Sequence, residues 1–198
     1  MKIDAIGKVI HGATISRIES KSGEEFYTYP VFTMQELSRE TGQYGIKEEF
    51  QEVNIIKEKF DKSFLSEINM VVIGLTSYKA LVIGDQNKGK LITSNFAIIE
   101  FNKNIIDPFY FSWYFNEHPK IEKQLRVAMQ GSIIRALSIQ MLRELDITVP
   151  SLEKQEKIGR LYYLRKRKEK LLFEKKSLEE LFYKQLIVDK LKEDSKCQ

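Results

Sequence analysis

The chain has 198 residues, of which 42% are apolar and 30% are charged, and its formal net charge is +4. That length allows one hydrophobic core and one appendage, the apolar fraction excludes a largely disordered protein, and the short apolar runs exclude a span of the membrane. The single cysteine, Cys197, excludes a disulfide framework, and the amino terminus lacks an apolar stretch of signal-peptide length, so we expect a cytoplasmic protein.

The basic excess lies in the last quarter of the sequence. Residues 151–198 carry 14 Lys and Arg against 9 Asp and Glu, a net charge of +5, whereas residues 1–150 carry 18 against 19, a net charge of −1. An overall charge of +4 therefore does not by itself indicate nucleic-acid binding. Any anion-binding surface in the first 150 residues must be a local patch.

Residues 1–150 have the pattern of an α+β domain with a mixed β-sheet. Runs rich in β-branched residues, separated by turn sequences, predict strands at residues 70–75, 80–84 and 91–101. Helices are predicted at residues 107–117, 119–129 and 138–144, with Asp107 as the first N-cap and Pro108 in the first turn. Trp113, Tyr114 and Phe115 are expected to be core residues of the first of these helices.

A change of pattern at residues 148–151 predicts the start of one long helix. Pro150 disfavours helix before it, and Ser151 is a good N-cap. Residues 151–193 contain no proline and one glycine, Gly159. They predict a helix of about 40 residues, about 60 Å long at about 1.5 Å per residue, followed by a disordered tail at residues 194–198.

Apolar residues recur along this helix with coiled-coil spacing, which predicts a dimerisation surface. Its members are Leu161, Leu164, Leu171, Leu178 and Phe182. Lys168 and Lys175 occupy positions of the same heptad pattern where a strong coiled coil would have leucine or isoleucine. Lysines there weaken the contact but can fix register and partner. The pattern favours a specific antiparallel or mixed pairing, and the alternative is an amphipathic helix that folds back on its own domain.

Two segments resemble catalytic motifs, but each lacks one residue of the motif. Residues 84–90 have the glycine and lysine spacing of a phosphate-binding loop, but Leu91 stands where a hydroxyl would hold Mg²⁺. Residues 107–110 resemble the Asp/Asn-Pro-Pro-Tyr motif of adenine methyltransferases, but a phenylalanine replaces the second proline. His11 and His118 have no second ligand at metal-binding spacing. The sequence thus predicts no catalytic residue, metal or cofactor, and favours a function in binding or assembly.

The order of these features resembles the DNA-specificity subunit of type I restriction-modification enzymes. Residues 12–17 are similar to the early G-x-T-P-S-R element of that family, with Ile15 in place of proline, and residues 69–76 resemble its G-D-hydrophobic strand, with Ile68 and Asn69 in place of Gly-Asp. The closing signature of the family is the most specific match. It is matched by Gly131, Ser132, Leu137, Ser138, Leu142, Leu145, Ile147, Pro150, Leu152, Gln155 and Ile158, with Lys154 in place of a glutamate.

The resemblance implies a non-catalytic protein that recognises double-stranded DNA and holds methyltransferase subunits, which a restriction subunit joins in complete complexes. The full family protein carries two recognition domains and two spacer helices, and this chain carries one set, at 1–150 and 151–193. We therefore expect a homodimer, or a pairing with another specificity chain. Antiparallel pairing would separate two identical recognition domains by about the helix length, and the target would be an inverted repeat with an unread gap.

Sequence reading requires polar side chains at base edges and cations at phosphates, and the turns of the domain offer both. The predicted DNA-binding residues are Thr14, Ser16 and Arg17, then Tyr78 and Lys79, then Asn87, Lys88 and Lys90, and finally Ser132 and Arg135. The basic run at residues 165–168 is a candidate for docking a partner or for following DNA phosphates. The alternative function is a coiled-coil assembly or adaptor protein that does not read DNA.

Overall fold

The computed structural model describes residues 1–21, 24–129 and 136–195. Its strands are β1 (Gly7–His11), β2 (Phe26–Phe32), β3 (Glu52–Ile56), β4 (Val71–Gly74), β5 (Lys79–Val82), β6 (Leu91–Ile92) and β7 (Phe96–Phe101). Its α-helices are α1 (Ile15–Ile18), α2 (Met34–Thr41), α3 (Pro108–Glu117), α4 (Pro119–Ala128), α5 (Ile139–Glu144) and α6 (Leu152–Ser195). Within the described residues, no helix is long and apolar enough to cross a membrane.

The strands form two sheets that share the core. The larger is antiparallel throughout, in the order β1-β7-β4-β5, and the smaller has the order β3-β2-β6, with β2 antiparallel to β3 and parallel to β6. Side chains alternate across the larger sheet, because successive residues of a strand point to opposite faces. Val71 and its partner Ile99 lie on one face, and Val72 and its partner Ile98 lie on the other.

Each face of the larger sheet is covered by a different layer. Helices α3, α4 and α5 pack on one face, around the fully buried Phe111, Ile121 and Leu142. Helix α2 and the smaller sheet pack on the other, through Phe32 and Leu37. The predicted α+β class with a mixed sheet and a long carboxy-terminal helix is confirmed.

Most of the predicted helices and strands are present, but one predicted strand is divided into two. The runs at 70–75 and 80–84 form the β4–β5 hairpin, but the run at 91–101 is split into β6 and β7, because the Phe96 N–H donates to the Thr93 carbonyl at 3.0 Å and closes a turn there. Helix α3 begins as predicted, since the Asp107 carboxylate accepts a hydrogen bond from the Tyr110 N–H at 2.7 Å. Tyr114 and Phe115 are buried and Trp113 packs against the same core.

The long helix is confirmed, and its first half docks on the domain. It ends at Ser195, two residues beyond the predicted end and inside the predicted tail. The buried Gln155 side chain accepts a hydrogen bond from the Asp107 N–H at 3.0 Å and donates to the carbonyl oxygens of Ile105 and Pro150. These three bonds fasten the start of α6 to the loop that leads into α3.

Gly159 marks the closest approach between the two helices. A Cβ atom there would lie 2.5 Å from Oδ1 of Asp107 and 2.8 Å from the backbone nitrogen of Tyr110. A glycine is therefore required in the middle of a helix that otherwise lacks helix breakers.

The docking surface continues for four more turns of α6. Asn116 donates to the Tyr162 hydroxyl at 2.9 Å, Glu40 and Lys170 form an ion pair at 3.0 Å, and the rings of Tyr44 and Phe173 lie 5.9 Å apart. Beyond Phe173, the described side chains of α6 are exposed. The alternative of a helix folded on its own domain is thus realised for the first half of α6 only.

Candidate nucleic-acid interface

One edge of the larger sheet gathers three loops, which we call the loop edge (residues 12–17, 75–79 and 93–95). Strands β1 and β4 end there and β5 and β7 begin there, because all neighbouring strands are antiparallel. Backbone hydrogen bonds join the loops: Leu75 N–H donates to the Asn95 carbonyl at 3.0 Å, and Ser94 N–H donates to the Ala13 carbonyl at 2.8 Å. The first two predicted DNA-binding loops therefore lie at the same edge of the sheet, on either side of the turn at residues 93–95.

Gly12 allows this close packing of backbones. A Cβ atom at this position would lie 2.1 Å from the carbonyl oxygen of Thr93 and 2.8 Å from that of Ile92. Any side chain would push the first loop away from the turn between β6 and β7. The glycine of the early family element is thus explained by a contact between segments about 80 residues apart in the sequence.

The predicted residues of the first loop are accessible. Thr14 is the N-cap of α1 and is half-buried, whereas Ser16 and Arg17 are exposed. In the second loop, Lys79 is exposed, while the Tyr78 ring packs against the core beneath α3. Tyr78 has a positive φ of 54°, a conformation that tightens the hairpin turn and is uncommon for a residue with a side chain.

Ser132 and Arg135 lie outside the described residues. The described chain resumes at residue 136, and the Leu137 N–H donates to the Leu75 carbonyl at 2.8 Å. The described segment that begins at residue 136 is therefore anchored at the loop edge.

The third predicted loop lies elsewhere, because it follows the opposite end of β5. Two of its three predicted residues are engaged inside the domain. The ammonium of Lys90 donates to the carboxylate of the buried Glu36 and, at 3.0 Å, to Oδ1 of the buried Asn87. Lys88 alone of the three is exposed, with its ammonium 3.8 Å from Glu67.

Glu36 holds this loop because it is itself fixed. It is the third residue of a capping box: its carboxylate accepts from the Thr33 N–H at 2.9 Å, and the Thr33 hydroxyl accepts from the Glu36 N–H. A second carboxylate oxygen remains for Lys90. The ion pair thus joins the third loop to the first turn of α2.

The exposed apolar stripe of α6 lies on the face opposite its docking face. An α-helix turns about 100° per residue, so Gln155, Gly159 and Tyr162 share one face, and the leucines of the predicted dimerisation surface fall about half a turn away. Leu161 and Leu178 are 69% and 67% exposed, and Leu164, Leu171 and Phe182 are exposed as well. Docking on the domain therefore leaves the stripe uncovered.

The basic run at residues 165–168 divides between two environments. Arg165 forms an ion pair with Glu117 of the domain, which raises the pKa of its guanidinium further, and Lys166 pairs with Glu169 at 2.9 Å. Arg167 and Lys168 are exposed. Beside them, burial raises the pKa of the Tyr162 hydroxyl, which stays protonated at the helix–domain contact.

A cavity of about 500 Å³ lies between α6 and the start of the third loop. Its lining combines Tyr44 and Tyr162 with Asp85, Lys166 and Glu174, so both signs of charge are present. In the described parts of the chain, no cluster of three or more side chains has the composition of a metal site. The described structure thus combines polar loops at one edge of the larger sheet with an exposed apolar surface on the long helix.

The comparisons with known proteins agree with this architecture. Residues 1–182 match the family model described as the type I restriction modification DNA specificity domain, so the chain belongs to that family. No curated protein matches the sequence.

Solved structures share the fold at low sequence identity. The HsdS subunit from Thermoanaerobacter tengcongensis has a TM-score of 0.58 at 14% identity, over 86% of this chain and 43% of its own. The type I S subunit from M. genitalium has a TM-score of 0.55 at 15% identity, over 88% and 40%. A chain from a structure of type I complex assembly and conformational transition has a TM-score of 0.57 at 14% identity, over 84% and 42%. This chain spans about two fifths of the length of each of them.

Proposed function

We propose that the chain is a non-catalytic specificity subunit that pairs through α6 and presents one recognition domain to each half of a bipartite DNA site. The observation that carries the proposal is the division of α6 into two opposite faces. One face fixes the recognition domain through Gln155 and Gly159, and the other carries the exposed leucines. A rigidly held domain and a free apolar stripe are what a paired reader of two half-sites requires.

In this proposal the loop edge meets the DNA. Ser16 and Arg17 supply a hydroxyl and a guanidinium, Lys79 supplies a second cation, and Thr14, Tyr78, Ser132 and Arg135 complete the set. Arginine and lysine can contact phosphates or guanine edges, so the loops can both position the protein and read bases. Asn87 and Lys90 hold the third loop in place, and Lys88 is the member of that loop that reaches solvent.

The partners follow from the same proposal. The subunit holds methyltransferase subunits against the recognised DNA, and a restriction subunit joins the complete complex. The structural neighbour from a type I assembly supports this kind of complex. The methyl donor and the catalytic groups belong to the partners, so the chain itself uses no cofactor.

Site selection on randomised duplex DNA, with the methyltransferase subunit present, tests the proposal. We expect two short identical half-sites in inverted orientation, separated by a gap of fixed length. Affinity should fall steeply with salt, because phosphate contacts release counterions. A single undivided motif would overturn the bipartite mechanism, and no specific binding at any salt concentration would favour an adaptor instead.

A matched pair of variants locates the surface. Arg17→Ala should weaken binding and lower the salt dependence by about one counterion if the guanidinium contacts a phosphate. Lys103→Ala removes an exposed cation beyond the opposite end of β7 and should leave binding unchanged. Equal effects of the two variants would contradict the placement of DNA at the loop edge.

A further inference from the structure

We propose that the cavity between α6 and the third loop (residues 84–90), which we call the α6 cleft, binds an adenine nucleoside. The proposal goes beyond the reading of DNA, because the loop edge lies at the opposite end of β5 from this loop. It is argued from three features of the cleft: an unpaired backbone edge, aromatic rings that are held in place, and unpaired charges of both signs.

The cleft contains part of the free edge of the larger sheet. Strand β5 is the last strand of that sheet, so the backbone groups of every second residue point away from β4. At Ala80 these outward groups are satisfied by α3. The Ala80 N–H donates to Oδ1 of Asn116 at 2.8 Å, and the Ala80 carbonyl accepts from the Ser112 hydroxyl at 3.1 Å.

Val82 leaves an N–H and a carbonyl oxygen unpaired beside the cleft. The Ile83 N–H donates to the Met70 carbonyl at 2.8 Å, so Ile83 faces β4 and Val82 faces away from it, as Ala80 does. No hydrogen bond joins either outward group of Val82 to another described residue. Val82 is only 8% exposed, and buried backbone groups are almost always paired in folded proteins. A ligand in the cleft can supply the missing acceptor and donor.

This free edge is too short for an added strand. A strand that pairs with β5 needs the outward groups of alternate residues. Those of Ala80 are occupied, and beyond Ile83 the chain enters the short helical turn Asp85–Asn87. One donor and one acceptor remain next to each other. Adenine matches this pair, because its amino group is adjacent to a ring nitrogen that accepts hydrogen bonds.

The aromatic rings that line the cleft are already held in place. The Tyr44 hydroxyl donates to a backbone carbonyl of α6 at 3.3 Å, and the Tyr162 hydroxyl accepts from a side chain of α3 at 2.9 Å. The rings of Phe109 and Tyr163 are in edge-to-face contact, with centroids 5.2 Å apart. Aromatic rings stack on flat bases, and rings that are already ordered lose little rotational freedom when they do so.

The charges of the cleft favour a nucleoside over a polyphosphate. Asp85, Arg167 and Glu174 line the cleft, and within the described residues none of them forms an ion pair. Lys166 and Lys170 also line it, but both are paired with glutamates. Two free carboxylates repel a triphosphate, whereas carboxylates accept hydrogen bonds from ribose hydroxyls and one guanidinium can hold one phosphate. The cleft therefore suits adenosine or its monophosphate, AMP.

The position of the cleft gives the ligand a structural effect. One wall belongs to α6, and the other belongs to α2, α3, β5 and the third loop. The volume of about 500 Å³ is within the range of small-molecule sites. A bound nucleoside would bridge the long helix and the recognition domain, and would stabilise their relative orientation.

Calorimetric titration of the full chain with adenosine, without DNA, tests the proposal. We expect one adenosine per chain and a melting temperature that rises with adenosine concentration. Adenosine that is methylated twice on its amino group has no hydrogen for the Val82 carbonyl, and should bind more weakly by about 10-fold or more. No binding of adenosine at millimolar concentration would overturn the proposal, and tighter binding of ATP than of adenosine would overturn the nucleoside as its ligand.

Val82→Pro tests where the base binds. It removes the outward N–H without removing a hydrogen bond to β4, and proline is tolerated at such positions of an edge strand. The affinity for adenosine should fall by about 10-fold or more, since one backbone hydrogen bond is lost. Val82→Ala keeps both backbone groups and is the matched control. Equal affinities of the two folded variants would overturn the placement of the base at β5.

Arg167→Met gives a readout that does not depend on the folding of the proline variant. The affinity for AMP should fall by about 10-fold, because a charge-assisted contact with the phosphate is lost, while the affinity for adenosine should not change. Lys176→Met removes an exposed cation of α6 that does not line the cleft, and is the control. If AMP binds both variants equally well, the phosphate does not lie beside Arg167 and the assignment of the cleft is wrong.

Discussion

At the scale of single residues, Gly159 controls how closely α6 approaches α3. We expect Gly159→Ala to reduce the unfolding free energy, because the added methyl costs about 1–3 kcal/mol in a tight contact, more than the ~1 kcal/mol that alanine gains over glycine in a helix. Thermal denaturation measures the change. Ser177→Ala, in the exposed part of the same helix, is the control and should be neutral or slightly stabilising; equal behaviour of the two would contradict the close contact.

The Glu36–Lys90 ion pair gives a second prediction at this scale. Lys90→Met leaves a buried carboxylate without its cation and should destabilise the domain by about 1.5–3 kcal/mol. Lys88→Met removes the neighbouring exposed pair with Glu67 and should change stability by at most about 1 kcal/mol. Urea denaturation of both variants decides between a structural and a surface role for Lys90, and similar midpoints would argue against the structural role.

Local sequence could not distinguish Lys88 from Lys90. Both stand in a polar loop next to a glycine, and both look like solvated cations. The difference arises from Glu36, which is 54 residues from Lys90 along the chain and is brought near only by the packing of α2. Gln155 could be selected from the family signature, but its three hydrogen bonds depend on the fold.

At the scale of elements, the exposed stripe of α6 is not needed for the folding of the domain. Replacing Leu164 and Leu178 together by glutamate should convert a dimer to a monomer without unfolding, because both side chains are exposed and neither docks on the domain. Light scattering and circular dichroism measure the two effects. Ser177→Glu adds a charge on the opposite face and should leave the dimer intact; loss of secondary structure in the double variant would contradict the separation.

The elements that the sequence predicted are those with a strong local signal. Helix α3 has Asp107 and Pro108 at its start, and α6 has an uninterrupted run of helix formers after Pro150. Helix α2 was missed, although the Thr33–Glu36 capping box was a readable signal. Strand β2 was missed because its first residues, Phe26 and Tyr27, are exposed and break the alternation expected for a strand with one buried face.

At the scale of the whole molecule, the sequence predicted the order of domain and helix but not their mutual orientation. The heptad pattern identified an apolar surface without showing which face of α6 would meet the domain. That choice depends on Gly159 and on the residues of α3 and α2 that receive the helix. The observed docking places the domain and the stripe on opposite sides of α6.

Inserting one heptad of helix after Phe173 should lengthen the unread gap and keep both half-sites. The insertion preserves both faces of α6 and moves the centre of the apolar stripe about half a heptad away from the domain in each chain, so in an antiparallel pair the two domains separate by about 10 Å, or about three base pairs. Site selection with the lengthened protein measures the new gap. An insertion of four residues, which turns the stripe away from its partner, should abolish dimerisation instead.

The attachment of α6 to the domain also affects recognition of the bases in the gap, which no side chain contacts. Because Gln155 and Gly159 hold each domain at a set rotation about α6, a paired molecule would present its two loop edges at a fixed angle around the DNA. The gap must then supply the twist that brings both half-sites into phase. We expect gaps rich in flexible TA and CA steps to tolerate a change of one base pair, whereas stiff A-tracts of the same length should not, so that the mechanics of the duplex become part of what the protein recognises.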